Sequence, residues 1–207
     1  VGKRKQVRIV SPEVFAERIC YYEQAIPNPK NIVELLETSN SQLKNGDLID
    51  PWREWVASGT EEKQIFGHQK YTDEAKLSKS SEVVSFIYTT IKSALDAAGK
   101  DYAQRFNIEY IEPESIGISK YRVGAAMGPH VDYYGEPNIE PLMSAVMYLN
   151  DDYEGGELRF PDQDVTIKPS AGSILVFPSV PPFYHEPLPV TFGTKYISAA
   201  FWIKKLK

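Results

Sequence analysis

From residue 111 onward the chain is written in short segments rich in β-branched and aromatic residues: "SIGISKYRV", "PLMSAVMYLN", "GELRF", "DVTIK", "SILVF" and "KYISAAFWI". Gly, Pro, Asn and Asp punctuate the gaps, most strongly in "NDDYEGGE" and "KPSAGS". No other feature narrows the fold as much. Each segment has the length and composition of a strand, and the turns between them reverse the chain too tightly for helical crossovers. The pattern therefore predicts an antiparallel sandwich, barrel or jelly roll.

The first half reads differently. "SPEVFAERICYYEQA" offers Ser11 as an N-cap and Pro12 at a first helical position, with Val14, Phe15, Ile19 and Tyr22 as an apolar stripe, which predicts a helix. "PKNIVELLETSN" predicts a shorter one, and "SSEVVSFIYTTIKSALDAAGKDYAQRF" the longest, in spite of its β-branched "IYTTI". Between them "LIDPWREWVASGTEEKQIFGHQKYT" shows no periodicity and is expected to be a long loop with a short strand. Trp52 and Trp55 either pin that loop to the core or belong to a lid.

A chain of 207 residues, 42% hydrophobic and 25% charged, is long enough to bury a core without staples, so one domain over 1–207 is expected. Within it, 1–110 supplies helical support and the variable loop, and 111–207 the β-rich core. Cys20 is the only cysteine, which excludes an internal disulfide and points to a reducing setting. Among its apolar neighbours it reads as core filler. No apolar run approaches the roughly 20 residues that span a bilayer, and the first residues lack a signal-peptide pattern. A cytoplasmic location and no membrane partner are the expectation. The net charge of -5 argues against a nucleic-acid surface and means that an anionic ligand needs a dedicated cation.

Three histidines are available. His68, in "FGHQKY", has no partner pattern and is expected at the surface or packed in the loop. In "MGPHVDYYGEP", His130 and Asp132 stand two apart, a spacing that puts both side chains on one face of an extended strand. His185, in "PPFYHEPLP", follows the apolar "SILVF", and a jelly roll folds such distant strands side by side. Two imidazoles and one carboxylate on one face form the facial triad of non-haem iron(II) oxygenases, which leaves coordination positions open. An H-x-D pair also arises as a histidine hydrogen-bonded to a neighbouring acid, so the pair alone does not decide. Lys195 opens a strand whose alternate residues Ile197, Ala199 and Phe201 share its face, either as edge protection or as an inward cation. Tyr121 could donate a phenolic hydrogen bond to the same anion.

Taken as an ordered set, "YRVGAAMGPHVDYY", "MYLNDDYEGGELRFP", "IKPSAGSILVFPS" and "HEPLPVTFGTKYISAAFWI" resemble iron(II)- and 2-oxoglutarate-dependent dioxygenases, within them the prolyl 4-hydroxylase-like group. The resemblance implies an α+β fold with a double-stranded β-helix (jelly-roll) core in the C-terminal half and supporting N-terminal helices. It implies Fe(II) held by His130, Asp132 and His185, all three catalytic. It also implies 2-oxoglutarate held by Lys195, ten positions after His185, and by Tyr121, nine positions before His130. Further implications are O2 as oxidant, ascorbate (vitamin C) as reductant, and hydroxylation of a prolyl residue in a peptide or protein with release of succinate and CO2.

Two positions depart from the prolyl 4-hydroxylase pattern. Phe201 stands where a tryptophan is usual, with Trp202 one position later, and Leu188 replaces a frequent cysteine. Neither touches a ligand, but both weaken proline as the substrate. Tyr133, Tyr134, Phe183 and Tyr184 flank the ligands and are read either as an aromatic rim for a peptide or as packing residues. The alternatives are a hydroxylase of a free amino acid or nucleic acid, a non-catalytic cupin-like module holding zinc, and a metal-free jelly-roll interaction domain.

Overall fold

A computed structural model of the chain describes residues 9, 11–38, 52, 82–113, 116–133 and 137–206 with their side chains, and the backbone of 41–42, 48–49, 53–54, 65–71 and 115. The early strands are β1 (Glu13–Phe15), β2 (Ile19–Tyr22), β3 (Ser41–Gln42), β4 (Leu48–Ile49), β5 (Trp52–Glu54) and β6 (Ile65–Tyr71), with helix α1 (Pro29–Thr38) after β2. Helix α2 (Glu82–Arg105) precedes β7 (Ser115–Met127), β8 (Ile139–Tyr148), β9 (Glu154–Gly155), β10 (Leu158–Phe160) and β11 (Val165–Ile167). The chain ends with β12 (Ile174–Phe177), β13 (Glu186–Pro187), β14 (Val190–Phe192) and β15 (Lys195–Lys205).

Eight strands form one sheet in the order β1-β2-β12-β8-β15-β7-β6-β5. Opposite it stand the small sheets β11-β10-β13 and β14-β9. Strand alternation sorts the large sheet's side chains into two layers. Met143, Ala145 and Met147 on β8, Ile174 and Val176 on β12, and Ala200 and Trp202 on β15 join a core with Ile87, Ile91 and Leu95 of α2. Their neighbours Tyr148, Leu175, Phe177 and Ile197 face the other way, toward Leu158 and Phe160 of β10. One face of the sheet thus carries the helices, and the other closes a β-lined interior. This is the expected α+β jelly roll.

The first half corrects the expectation of helices. α1 and α2 form as anticipated, but "SPEVFAERICYYEQA" is a hairpin, not a helix: Glu13 pairs with Tyr21 and Phe15 with Ile19. Ala16 and Glu17 both take positive φ (44° and 64°), and the Arg18 N–H bonds the Phe15 carbonyl at 3.2 Å. All four β2 residues are buried because β2 then pairs with β12 in the middle of the sheet. Burying both faces of "ICYY" outweighs the helical stripe that the same residues would give. The segment expected to be a long loop with a short strand supplies three strands, β4, β5 and β6. β5 pairs with β6 and β6 with β7, so His68 lies in a sheet strand, opposite Tyr121, rather than in irregular chain. Trp55 lies outside the described residues. Trp52 is 5% exposed, meets Tyr196 edge-on at 6.0 Å, and has the Lys120 ammonium 4.4 Å from its ring centre, so it pins β5 to the sheet.

Candidate metal centre and anion pocket

The two distant histidines meet through their backbones. The His130 N–H donates to the His185 carbonyl (3.0 Å) and the His185 N–H to the His130 carbonyl (2.8 Å), an isolated antiparallel bridge that sets the rings 4.3 Å apart. The bridge begins where β7 has ended, so His130 and Asp132 stand on a bent segment rather than on the regular strand that the H-x-D spacing suggested. Their side chains still converge. Asp132 Oδ1 is 3.8 Å from His130 Nε2, and Asp132 Oδ2 is 3.6 Å from His185 Nε2.

Those spacings are too long for hydrogen bonds, so the three side chains face one another across a gap rather than bonding directly. The far nitrogens fix the tautomers. His130 Nδ1 lies 2.9 Å from the Gly128 carbonyl and His185 Nδ1 3.3 Å from the Phe183 carbonyl. A carbonyl only accepts, so each Nδ1 carries a proton, and each Nε2 is left facing Asp132. Among the described residues this is the one group of three ligand-type side chains whose donor atoms come within 4.8 Å of one another. Burial pushes the His185 imidazole down to about 4, against the opposing pull of the Asp132 carboxylate, which keeps the ring neutral and able to ligate. The donor set therefore fits a divalent ion. Around it, Phe177 packs 4.7 Å from the His185 ring, and Arg159 pairs with Glu186 across β10 and β13, holding the strand that follows His185.

Lys195 and Tyr121 face each other across β15 and β7 and line the same pocket as the triad. Lys195 is 2% exposed; Ile197, Ala199 and Phe201 line the pocket beside it, as strand alternation requires. Its ammonium donates to the Gly156 carbonyl at 2.6 Å and lies 5.3 Å from the ring centres of both Tyr121 and Tyr148. Burial lowers its pKa to about 7, helped by the nearby Lys168 charge and opposed by Glu157. A buried cation with one neutral partner is poised to take an anion. Burial moves the Tyr121 and Tyr148 hydroxyls the other way, so both stay protonated donors.

Sequence reasoning missed Tyr148. Its hydroxyl is buried in the pocket wall with no hydrogen-bond partner among the described residues. The signal was the inward alternation of Val146 and Tyr148 in "PLMSAVMYLN". Phe201 forms pocket wall, whereas Trp202 points into the helix-side core, so the tryptophan one position later does not replace the missing one. In the aromatic rim, the Tyr133 hydroxyl donates to the Ile139 carbonyl (3.2 Å), Phe183 packs on the interior cluster, and Tyr134 lies outside the described residues. Cys20 is fully buried with its thiol pushed up to about 11 by burial, in keeping with core filler.

Comparison with known proteins agrees with this geometry. Residues 116–204 match the family model of the 2OG-Fe(II) oxygenase superfamily. A putative prolyl 4-hydroxylase of Acanthamoeba polyphaga mimivirus is 25% identical over 198 residues, covering 87% of this chain and 72% of the relative. The human multifunctional procollagen lysine hydroxylase and glycosyltransferase LH3 is 47% identical over 75 residues, 32% of this chain but 10% of that protein. A Pseudomonas putida prolyl-4-hydroxylase crystal structure shares the fold, with a TM-score of 0.57 at 19% identity over 92% of this chain and 93% of that one. The segment that carries the site belongs to the 2OG-Fe(II) oxygenase superfamily and is prolyl hydroxylase-like. For that segment the match supports an oxygenase with Fe(II) and 2-oxoglutarate as cofactors, ascorbate being typical of the family. Among the described residues no helix is long and apolar enough to cross a membrane.

Proposed function

We propose that this protein hydroxylates a prolyl residue in a peptide or protein, forming succinate and CO2. His130, Asp132 and His185 hold the iron, and Lys195, Tyr121 and Tyr148 hold the far carboxylate of 2-oxoglutarate. The observation that carries the reading is the convergence of three ligand-type side chains and one buried lysine on a single pocket. Iron held there would supply activation of dioxygen coupled to the oxidative decarboxylation of 2-oxoglutarate. The chain's own part is positional. His130, Asp132 and His185 would hold the ion from one wall of the pocket. Lys195 neutralises the charge of the distal carboxylate, and the two tyrosine hydroxyls direct it. Met127, Val146, Leu158 and Phe201 line the pocket with apolar side chains and restrict water.

A lysyl substrate is the second reading, favoured by the 47% identical stretch shared with the procollagen lysine hydroxylase. The pocket speaks against it. Among the described lining residues Asp132 is the one acid, and it is committed to the ion, leaving no carboxylate to receive a substrate ammonium. The test is a succinate-release screen with Fe(II), ascorbate, and proline- or lysine-containing peptides, with free amino acids and oligonucleotides as further arms. Mass spectrometry then locates the added oxygen atom. Oxygen on a prolyl ring supports the proposal; turnover of lysyl, free amino acid or nucleic-acid substrates alone rejects it.

A further inference from the structure

Lys195 is held at both ends by residues outside the pocket. At its backbone, the buried Asn150 side chain reaches across from the end of β8. Its Nδ2 donates to the Thr194 carbonyl (2.7 Å), and its Oδ1 accepts from the Tyr196 N–H (2.7 Å). One amide thus brackets Lys195 on either side. Asp152 Oδ1 takes the second Nδ2 hydrogen at 2.7 Å, which fixes the orientation of the amide.

At the other end, the ammonium rests on the Gly156 carbonyl, and the turn carrying that carbonyl is itself anchored. Lys168 Nζ donates to the Tyr153 (3.2 Å) and Gly155 (2.7 Å) carbonyls, and the Gly156 N–H donates to the Pro189 carbonyl (3.0 Å). Gly155 takes a φ of +69°, and a Cβ there would meet the Pro189 carbonyl at 2.3 Å, so the turn follows one path. Lys168 also lies 4.2 Å from the Tyr153 ring centre.

We propose that Asn150 and Lys168 are positioning residues for the 2-oxoglutarate lysine, Asn150 setting its backbone and Lys168 its ammonium through the 153–156 turn. The proposal rests on the assignment of Lys195 to 2-oxoglutarate. An ammonium that must meet a carboxylate in a buried pocket loses affinity when displaced by a fraction of an ångström, because the charge gains no help from water there. Neither residue lines the pocket with the triad. Metal affinity and saturated turnover are therefore independent of both, whereas 2-oxoglutarate affinity is not.

The experiment measures 2-oxoglutarate binding by calorimetry on the zinc-loaded full chain, and KM for 2-oxoglutarate and kcat on the iron-loaded one. The variants are Asn150→Ala, Asn150→Asp, Lys168→Met, Lys168→Arg and Lys195→Met. Loss of the two hydrogen bonds that bracket Lys195 predicts a Kd about tenfold weaker for Asn150→Ala, and the indirect contact about threefold for Lys168→Met, with Lys168→Arg restoring most of it. KM should rise by the same factors, with kcat and zinc affinity within about twofold of the parent. Where Asn150→Ala does not fold, the half-exposed Lys168 pair carries the test. Unchanged 2-oxoglutarate affinity in Lys168→Met and in the folded Asn150 variant overturns the proposal, as does an equal loss of kcat and zinc binding. If Lys195→Met itself binds 2-oxoglutarate normally, the underlying assignment of the pocket is what fails.

Discussion

At the scale of single residues the proposed site separates groups assigned to an ion from groups assigned to an anion. Asp132 is the carboxylate both imidazoles face. Asp132→Ala should abolish substrate-dependent succinate formation and weaken divalent-ion binding by at least about tenfold, read by a coupled succinate assay and metal titration. Turnover like that of the parent would remove Asp132 from the ligand set. Tyr148 invites a sharper test because its hydroxyl is buried without a partner among the described residues. A buried donor left unmade costs about 1–3 kcal/mol, so Tyr148→Phe should leave the melting temperature unchanged or raise it. The same variant should bind 2-oxoglutarate about fivefold to tenfold more weakly, because the donor is then missing when the carboxylate arrives. A stable variant with parental affinity would show that Tyr148 only lines the wall.

At the scale of elements, the large sheet is supported where α2 crosses its back. Gly99 of α2 lies so close to Trp202 of β15 that a Cβ there would come 2.7 Å from the indole ring. Alanine in a helix interior gains about 1 kcal/mol over glycine. The clash with a rigid, fully buried ring works against that gain and costs about 1–3 kcal/mol. Gly99→Val, bulkier and β-branched, should lower stability by about 2 kcal/mol or more in chemical denaturation, and should do so without altering the metal ligands on the opposite face. No loss would mean that α2 can shift away from β15. The elements also show why the N-terminal hairpin was misread. Val14, Phe15, Ile19 and Tyr22 recur at helical spacing, but β2 is buried on both faces between β1 and β12. A stripe describes one buried face, and a central strand has two. The place and extent of β6 were not legible for a different reason: a strand containing Gly67, His68, Gln69 and Lys70 has no alternation to read, and only its pairing with β7 makes it a strand.

At the scale of the whole molecule, one buried lysine links folding, pH and cosubstrate. The Lys195 ammonium, with an ordinary value of 10.5, is lowered to about 7 in the fold by burial. Between those values the unfolded chain holds a proton that the folded chain has released, so stability should rise with pH across that window. On the proposed assignment, bound 2-oxoglutarate brings a carboxylate to the ammonium and restores the proton. The rise in melting temperature on adding 2-oxoglutarate to the zinc-loaded protein should therefore be larger near pH 7 than near pH 9, because at the higher pH binding must first take up a proton. In Lys195→Met both effects should vanish. An equal rise at both pH values, measured by calorimetry, would place a charged lysine in the free pocket instead.

The amino-acid sequence by itself determined the strands after residue 111, the inward row of Lys195, Ile197, Ala199 and Phe201, and the donor set of two imidazoles and a carboxylate. Each is a local matter of period two, turn chemistry and residue type. Only the tertiary structure decided that His130 and His185 share two backbone hydrogen bonds, that Asn150 brackets Lys195, and that "ICYY" becomes a central strand. These depend on pairings between residues tens of positions apart, whose free energy comes from burial and hydrogen bonding that no short window of sequence contains.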